Sequence, residues 1–165
     1  MNVVDVLQAI RENHAVEHAT MHVLGGRYPH ARLVGRSTAS GFYIYGEVDT
    51  QDLANAASEG LIRLQQGEEH LAVHPRCGTN LVVTGLMAGG AAFAASVSNK
   101  PRSRMDRLPI ALAGATLAAI IAQPIAHRFQ EEVTTSPEVD NLYITGVERQ
   151  ERGGLVVHKV TIGRS

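Results

Sequence analysis

Two long segments without charged residues dominate the hydropathy pattern of the chain. The first runs for 18 residues, from Leu81 to Ser98, and the second runs for 19 residues, from Leu108 to Ala126. Both approach the length of about 20 apolar residues that a helix needs to cross the hydrocarbon core of a bilayer. The pattern therefore predicts a transmembrane helical hairpin over residues 81–127. A buried helical hairpin inside a soluble fold is the alternative.

A short basic loop, residues 99–107, separates the two apolar segments, and the first segment contains Gly85 and Gly89. Small residues four positions apart allow helices to approach closely in lipid, so this face predicts a homo-oligomer. The orientation stays open because two signals conflict. The positive-inside rule places the basic loop in the cytoplasm, whereas the lack of a signal-peptide pattern favours cytoplasmic termini. We predict a multi-pass protein of the cell membrane, in contact with the lipid bilayer.

Apolar positions at helical spacing predict two further helices before the hairpin. The first covers residues 2–24 and ends at the glycine pair 25–26. The second begins at Asp49 or Thr50, either of which can cap it, and ends near Gln66.

Alternating apolar and polar residues predict short strands on both sides of the hairpin, over residues 31–37, 42–48, 70–74, 141–148 and 155–162. The fold class predicted from these elements is an α+β membrane protein. Residues 1–80 form an N-terminal α+β region. Residues 128–165 form a C-terminal β-hairpin that completes one small antiparallel sheet.

The overall composition narrows the classes of function. The chain has 165 residues, with 16 acidic and 15 basic side chains and a formal net charge of -1. This balance argues against nucleic-acid binding, which usually requires a basic excess. The single cysteine, Cys77, excludes an internal disulfide and suits a reducing compartment. Eight histidines are a high count for this length, and their positions carry the candidate chemistry.

The first histidine cluster lies in the first predicted helix, within the sequence NHAVEHATMH. His14 and His18 are four residues apart, so both imidazoles lie on one helix face, about 5–6 Å apart at Cβ. Two imidazoles in this arrangement can share one metal ion. Glu17 borders the same face, where an unligated carboxylate can act as a general base toward water, as in metal motifs of the form H-x-x-E-H. His22 extends the row by one further turn.

Further ligands are offered by the sequence HPRCGTN, which directly precedes the first apolar segment. His74 and Cys77 lie three residues apart on a predicted loop, and Pro75 favours an extended backbone at His74. Imidazole and thiolate groups are typical zinc ligands. The sequence therefore predicts a site for zinc, or for another divalent transition metal, formed by His14, His18, His74 and Cys77. Alternatively, Cys77 is a catalytic thiolate activated by its neighbours.

Each of these residues also has a purely structural interpretation. A single histidine is more often a surface group or a hydrogen-bonded buried group than a ligand, and three in a helical row can form a pH-responsive face. Without a metal, Cys77 is most simply a buried inert thiol. The pattern gives no special role to His158, and it predicts a solvated face for Arg11 and Glu12.

The two motifs resemble those of the YqhQ-like family of uncharacterised bacterial membrane proteins, which are catalogued as predicted metal-dependent enzymes. The family motifs are H-G-A-E-H-K-[ST] and H-x-R-C-G-T, and the matching positions are His14, Glu17, His18, Thr20, His74, Arg76, Cys77, Gly78 and Thr79. The resemblance covers about residues 13–98. The chain departs from the family at Ala15, Val16 and Ala19, where the family has Gly, Ala and Lys. The resemblance implies a metal-dependent enzyme at the membrane.

We therefore expect a membrane-associated, zinc-dependent hydrolase with Glu17 as general base, acting on a peptide or a lipid-linked substrate at the membrane surface. Hydrolysis requires an open coordination position on the metal. If all four candidate ligands bind at once, the site is closed, and the protein is a non-catalytic metal-stabilised scaffold or partner-binding protein. A Cys77-dependent enzyme is the third hypothesis.

Overall fold

The computed structural model describes residues 2–97 and 104–165 of the chain. The described chain contains four α-helices and one four-stranded antiparallel sheet, which confirms the α+β class. The described chain is divided into two structural units. The first comprises the chain up to His74 and from Glu131 onwards, and the second comprises Pro75–Gln130.

The first helix, α1 (Val3–Arg27), carries the histidine row. It begins with a capping box, in which Asn2 and Asp5 exchange hydrogen bonds of 2.9 Å between side chain and backbone. The sequence predicts that the helix ends at the glycine pair 25–26, but the helix continues to Arg27. The guanidinium of Arg27 lies in the last turn, where a cation stabilises the helix dipole, and it pairs with Glu59 at 2.5 Å.

The second helix, α2 (Thr50–Gln65), packs against α1. Asp49 is its N-cap, and its carboxylate accepts hydrogen bonds from the backbone N–H groups of Gln51 and Asp52. The two helices approach most closely at Gly60. A Cβ atom at this position would lie 2.9 Å from the backbone of Ala19 and Thr20. A glycine is therefore required for α2 to pack this closely against the part of α1 that follows His18.

Gly60→Ala is expected to lower the free energy of unfolding by about 1–3 kcal/mol, because the added methyl group forces the two helices apart. The matched control is Gly25→Ala, since a Cβ atom at Gly25 meets no atom within 4 Å. That variant is expected to gain about 0.5–1 kcal/mol from the better helix propensity of alanine. Chemical denaturation followed by circular dichroism measures both values. Equal stability of the two variants would contradict the close approach at Gly60.

The sheet contains β1 (Val34–Thr38), β2 (Gly41–Tyr45), β3 (Leu142–Arg152) and β4 (Leu155–Arg164) in the order β1-β2-β4-β3. The C-terminal hairpin therefore completes the sheet begun by the N-terminal hairpin, as predicted. Gly153 and Gly154 form the turn between β3 and β4 with positive φ angles of 59° and 79°, which glycine adopts without strain. Phe42, Ile44 and Val160 are fully buried between the sheet and the two helices.

The strand predicted over residues 70–74 is wrong. The segment Glu69–Ala72 is a 3₁₀ helix, closed by hydrogen bonds from the backbone N–H of Leu71 to Glu68 and of Val73 to His70. Leu71, Ala72 and Val73 are all buried, although they are consecutive in the chain. A strand with one solvated face would alternate buried and exposed residues, whereas a tight turn packed on α1 buries all three.

The second unit is a helical hairpin of α3 (Gly78–Ser96) and α4 (Arg104–Phe129), which continues as a π-helical segment over Gln130–Thr134. Helix α3 begins three residues before the predicted span because Cys77 caps it. The Sγ atom of Cys77 accepts a hydrogen bond of 3.4 Å from the backbone N–H of Thr79. Residues 98–103, which include Ser98 and much of the predicted basic loop, lie outside the described residues.

Large apolar side chains are exposed along both helices of the hairpin. Leu86 and Phe93 of α3 and Leu117 of α4 are 72%, 70% and 59% exposed. Two segments, Gly78–Ser96 and Arg107–Thr134, are long and apolar enough to cross a membrane. A Cβ atom at Gly85 or Gly89 would meet no atom within 4 Å, so this face is open, and the homo-oligomer stays a prediction.

Candidate metal centre

His18 is the most deeply buried of the histidines in the row on α1, with 2% of its surface exposed. Its Nδ1 lies 2.6 Å from the carbonyl oxygen of Ala72. A carbonyl can only accept, so Nδ1 carries the proton and Nε2 carries the lone pair. Within residues 2–97 and 104–165, no hydrogen-bond partner meets this buried Nε2. Such an orphaned lone pair is unusual in a protein interior and is the arrangement that a metal ligand requires.

The electrostatic setting keeps His18 neutral. Burial, with a smaller contribution from the neighbouring His14, lowers the pKa of His18 to about 3. A neutral imidazole is the form that binds a metal. Near neutral pH, protons therefore do not compete with a metal ion for the lone pair of His18.

His14 lies one turn before His18, and the centres of the two rings are 4.2 Å apart. Its Nδ1 donates a hydrogen bond of 2.8 Å to the carbonyl oxygen of Thr134, the last residue of the π-helical segment. In the neutral form of His14, Nε2 is thus the nitrogen that carries the lone pair, as in His18. The predicted placement of these two imidazoles on one helix face is what the structure shows, and both rings are oriented through backbone carbonyls.

His22 and His74 continue the row of rings. The ring of His74 lies 5.8 Å from that of His18 and 4.9 Å from that of His22. The Nε2 atom of His22 donates a hydrogen bond of 2.8 Å to the carbonyl oxygen of Val73. His18 and His22 therefore hold two successive carbonyl groups, those of Ala72 and Val73, and these bonds place His74 beside the row.

Glu17 is buried beneath β1, with 5% of its surface exposed. Its carboxylate accepts a hydrogen bond from the hydroxyl of Ser37, and it packs against Gly35, where a Cβ atom would collide with its Oε1. Burial raises the pKa of Glu17, although the hydrogen bond from Ser37 and the charge of His14 oppose the change. The carboxyl group is close enough to His14 for the charge of that imidazole to affect its pKa. Glu17 is not one of the predicted metal ligands.

Cys77 follows His74 by three residues, a distance of at most about 11 Å along the chain. It is buried, with 8% of its surface exposed. Of the predicted ligands, His14 and His18 lie together in the first unit. Cys77 belongs to the second unit, and its place in the ligand set stays a prediction. His74, the fourth predicted ligand, lies beside His22.

The sequence interpretation missed a polar network on the other side of α1. Glu12, predicted to be solvated, is 9% exposed and pairs with Arg164 at 3.3 Å. Arg164 also donates a hydrogen bond of 2.9 Å to Asn13. Arg11 is not solvated either, because its guanidinium donates to the carbonyls of Glu132 and Thr135. These bonds hold the helix turn before His14 against both the end of β4 and the segment that provides the carbonyl of Thr134.

His158, for which the sequence indicated no role, is completely buried in β4. Its Nε2 lies 3.0 Å from the hydroxyl of Thr50 at the start of α2. Burial, together with the positive charge of Arg149, lowers its pKa. His158 belongs to the interface between sheet and helix and is remote in sequence from the histidine row. A single sequence gives no signal for such a buried histidine when the residues around it are a mixture of polar and apolar types.

Comparison with known proteins places the whole candidate site within one family. The model of a domain of unknown function (DUF6391) matches residues 9–147 of this chain. An uncharacterized protein of Picosynechococcus sp. is 41% identical over 140 residues, which cover 77% of this chain and 66% of that relative. The chain thus spans slightly less than two thirds of the length of the relative. No solved structure matches the chain.

These relatives define the family without naming a cofactor or a reaction. The match includes His14, Glu17, His18, His74 and Cys77, but the description of the family assigns no role to them. The YqhQ-like assignment and its metal-enzyme motif therefore stay predictions. The chain belongs to the uncharacterised bacterial family that is defined by the DUF6391 domain.

Proposed function

We propose that this protein is a zinc-dependent hydrolase of the cell membrane. In this proposal His14, His18 and Cys77 bind the metal, and Glu17 is the general base. The observation that carries the proposal is His18, an imidazole whose Nδ1–H is fixed by the carbonyl of Ala72 and whose buried Nε2 meets no hydrogen-bond partner in the described part of the chain. Metal-binding histidines are typically oriented by a carbonyl or carboxylate on the other ring nitrogen.

The number of ligands favours catalysis over a purely structural site. Catalytic zinc sites hold the metal through three protein ligands and leave one position for water or substrate, whereas structural sites use four. The proposed set contains three ligands, because the ring of His74 lies closer to that of His22 than to that of His18. Burial raises the pKa of Glu17 toward neutral pH. A general base is most effective when its pKa lies near the operating pH.

The membrane is the proposed location because Cys77 immediately precedes α3, one of the two segments able to cross a bilayer. A metal site with one ligand directly before a membrane span favours a peptide or lipid-linked substrate that reaches the membrane surface. A multi-pass topology and self-association through the Gly85/Gly89 face complete the proposal. The resemblance to the YqhQ-like family supports the same class of metal-dependent membrane enzyme.

A metal-stabilised scaffold without catalytic activity is the second candidate, and the packing of Glu17 favours it. The carboxylate is buried, accepts a hydrogen bond from Ser37 and lies against Gly35. A base in use needs access to water, whereas a packing residue does not. The two candidates both bind a metal, and they differ in the number of protein ligands and in the role of Glu17.

Metal analysis tests the proposal directly. Protein purified in detergent and loaded with zinc is expected to retain about one tightly bound zinc ion per chain after removal of excess metal, since three ligands form the site. Inductively coupled plasma mass spectrometry measures the content. Zinc-loaded protein is then assayed with p-nitrophenyl acetate and with a quenched fluorescent peptide library. Protein that retains no zinc after loading would exclude the metalloenzyme.

A further inference from the structure

We propose that His22 and His74 form a second, weaker binding position for a divalent transition metal. This outer pair is separate from the position at His14 and His18 and has no part in the proposed hydrolysis. His22 lies one turn after His18 on α1, and His74 follows the 3₁₀ segment by two residues. The rings of His22 and His74 lie side by side. The inference concerns metal binding alone, so it does not depend on any catalytic activity.

The separation of the two rings fits a shared metal ion. With zinc–nitrogen distances of about 2.0–2.1 Å and tetrahedral angles, two imidazoles on one ion have ring centres roughly 5 Å apart. The rings of His22 and His74 are 4.9 Å apart and inclined at 71°. The rings of His18 and His74 are 5.8 Å apart, which is wider than this value. His74 is therefore better placed to share an ion with His22 than with His18.

His22 is oriented in the manner of a ligand. Its Nε2–H donates to the carbonyl of Val73, so Nδ1 carries the lone pair. His14 and His18 donate through Nδ1 and present Nε2, which is the opposite arrangement. The same hydrogen bond also fixes the backbone directly before His74. One contact thus orients both members of the outer pair, as an outer-shell hydrogen bond does in known metal sites.

Exposure separates the two positions. His22 and His74 are half-buried, whereas His18 is 2% exposed. The outer pair itself supplies two ligands, so further groups such as water must complete the coordination of an ion bound there. Fewer ligands and readier access to solvent predict lower affinity and faster exchange than at the inner position.

The experiment uses the full chain, purified in detergent and stripped of metal with a chelator. Zinc is titrated into this protein and binding is followed by calorimetry. Competition with a chromophoric chelator gives the two affinities. The unmodified protein is expected to bind two ions, the second at least 10-fold more weakly than the first. His22→Gln retains an amide that can donate to the carbonyl of Val73 but removes the imidazole. It is expected to lose the weaker ion and keep the tighter one. The matched control is His70→Gln, an exposed histidine of the same 3₁₀ segment, which should bind both ions.

Further variants keep the inner and outer positions distinguishable. His18→Ala is expected to lose the tighter ion and keep the weaker one. If His22→Gln still binds two ions, or if a single ion binds and His22→Gln retains it, the outer pair is excluded while the proposed function stands. Binding that survives His18→Ala and disappears in His22→Gln supports the outer pair and excludes the inner site.

Discussion

Replacement of His18 by alanine is expected to lower the affinity of the tighter zinc ion by roughly 10²- to 10³-fold. Structural zinc sites gain an apparent 10–16 kcal/mol from about four ligands, so one ligand accounts for about 2.5–4 kcal/mol. The imidazole of His18 is the best prepared ligand in the site, because it is buried, neutral and already oriented by the carbonyl of Ala72. Its loss removes all of these contributions together. Competition with a chelator of known affinity measures the change.

Two companion variants separate metal loss from misfolding. His18 is buried, so alanine also leaves a cavity and an unpaired carbonyl at Ala72. His14 is only half-buried, and His14→Ala should lose zinc with less effect on the metal-free fold. His70→Ala, at the exposed surface, should retain zinc. Circular dichroism of each metal-free protein shows whether the fold persists. A folded His14→Ala protein with unchanged zinc affinity would contradict the site.

The elements of the fold that the sequence predicted are those with a local signal. The uncharged runs correspond to α3 and α4, and alternation predicted the strands β2 and β4, which the structure shows paired with each other. Failures occurred where tertiary contacts outweigh the local pattern. Residues 70–74 alternate in the sequence, yet Leu71, Ala72 and Val73 are buried together on α1. Glycine propensity predicted the end of α1 at the pair 25–26, but the helix continues to Arg27, whose guanidinium pairs with Glu59 on α2.

The candidate site shows the same division. Helical spacing was sufficient to place His14 and His18 together, since positions four apart share a face. Their carbonyl partners are 120 and 54 residues away in the chain, and no spacing rule connects them. The pairing of Glu12 with Arg164 spans 152 residues and is equally invisible in the sequence. The sequence therefore predicts candidate ligands that lie together, whereas the contacts that select a tautomer and an orientation require the fold.

Glu17→Gln is expected to abolish hydrolysis, with a fall in rate of about 10²- to 10⁴-fold, the usual contribution of a general base. Zinc affinity should not change, because Glu17 is not a ligand in the proposed site. Stability should not fall either. Burial disfavours the charged carboxylate and so raises the pKa of Glu17. A neutral amide is therefore tolerated at this buried position, and its oxygen can still accept from Ser37.

The comparison of Glu17→Gln with Glu59→Gln decides between the hydrolase and the scaffold. Glu59 lies at the surface of α2, where a lost charge affects the ion pairs with Arg27 and Arg63. Initial rates on the most responsive substrate from the screen are measured for both zinc-loaded variants beside the unmodified protein. Loss of rate in Glu17→Gln alone, with full zinc content, identifies a base acting at the metal centre. Equal rates in all three proteins would remove Glu17 from the reaction. If the zinc-loaded unmodified protein hydrolyses no substrate faster than the metal-free protein, the metal-stabilised scaffold is favoured, in which the carboxylate only packs beneath β1.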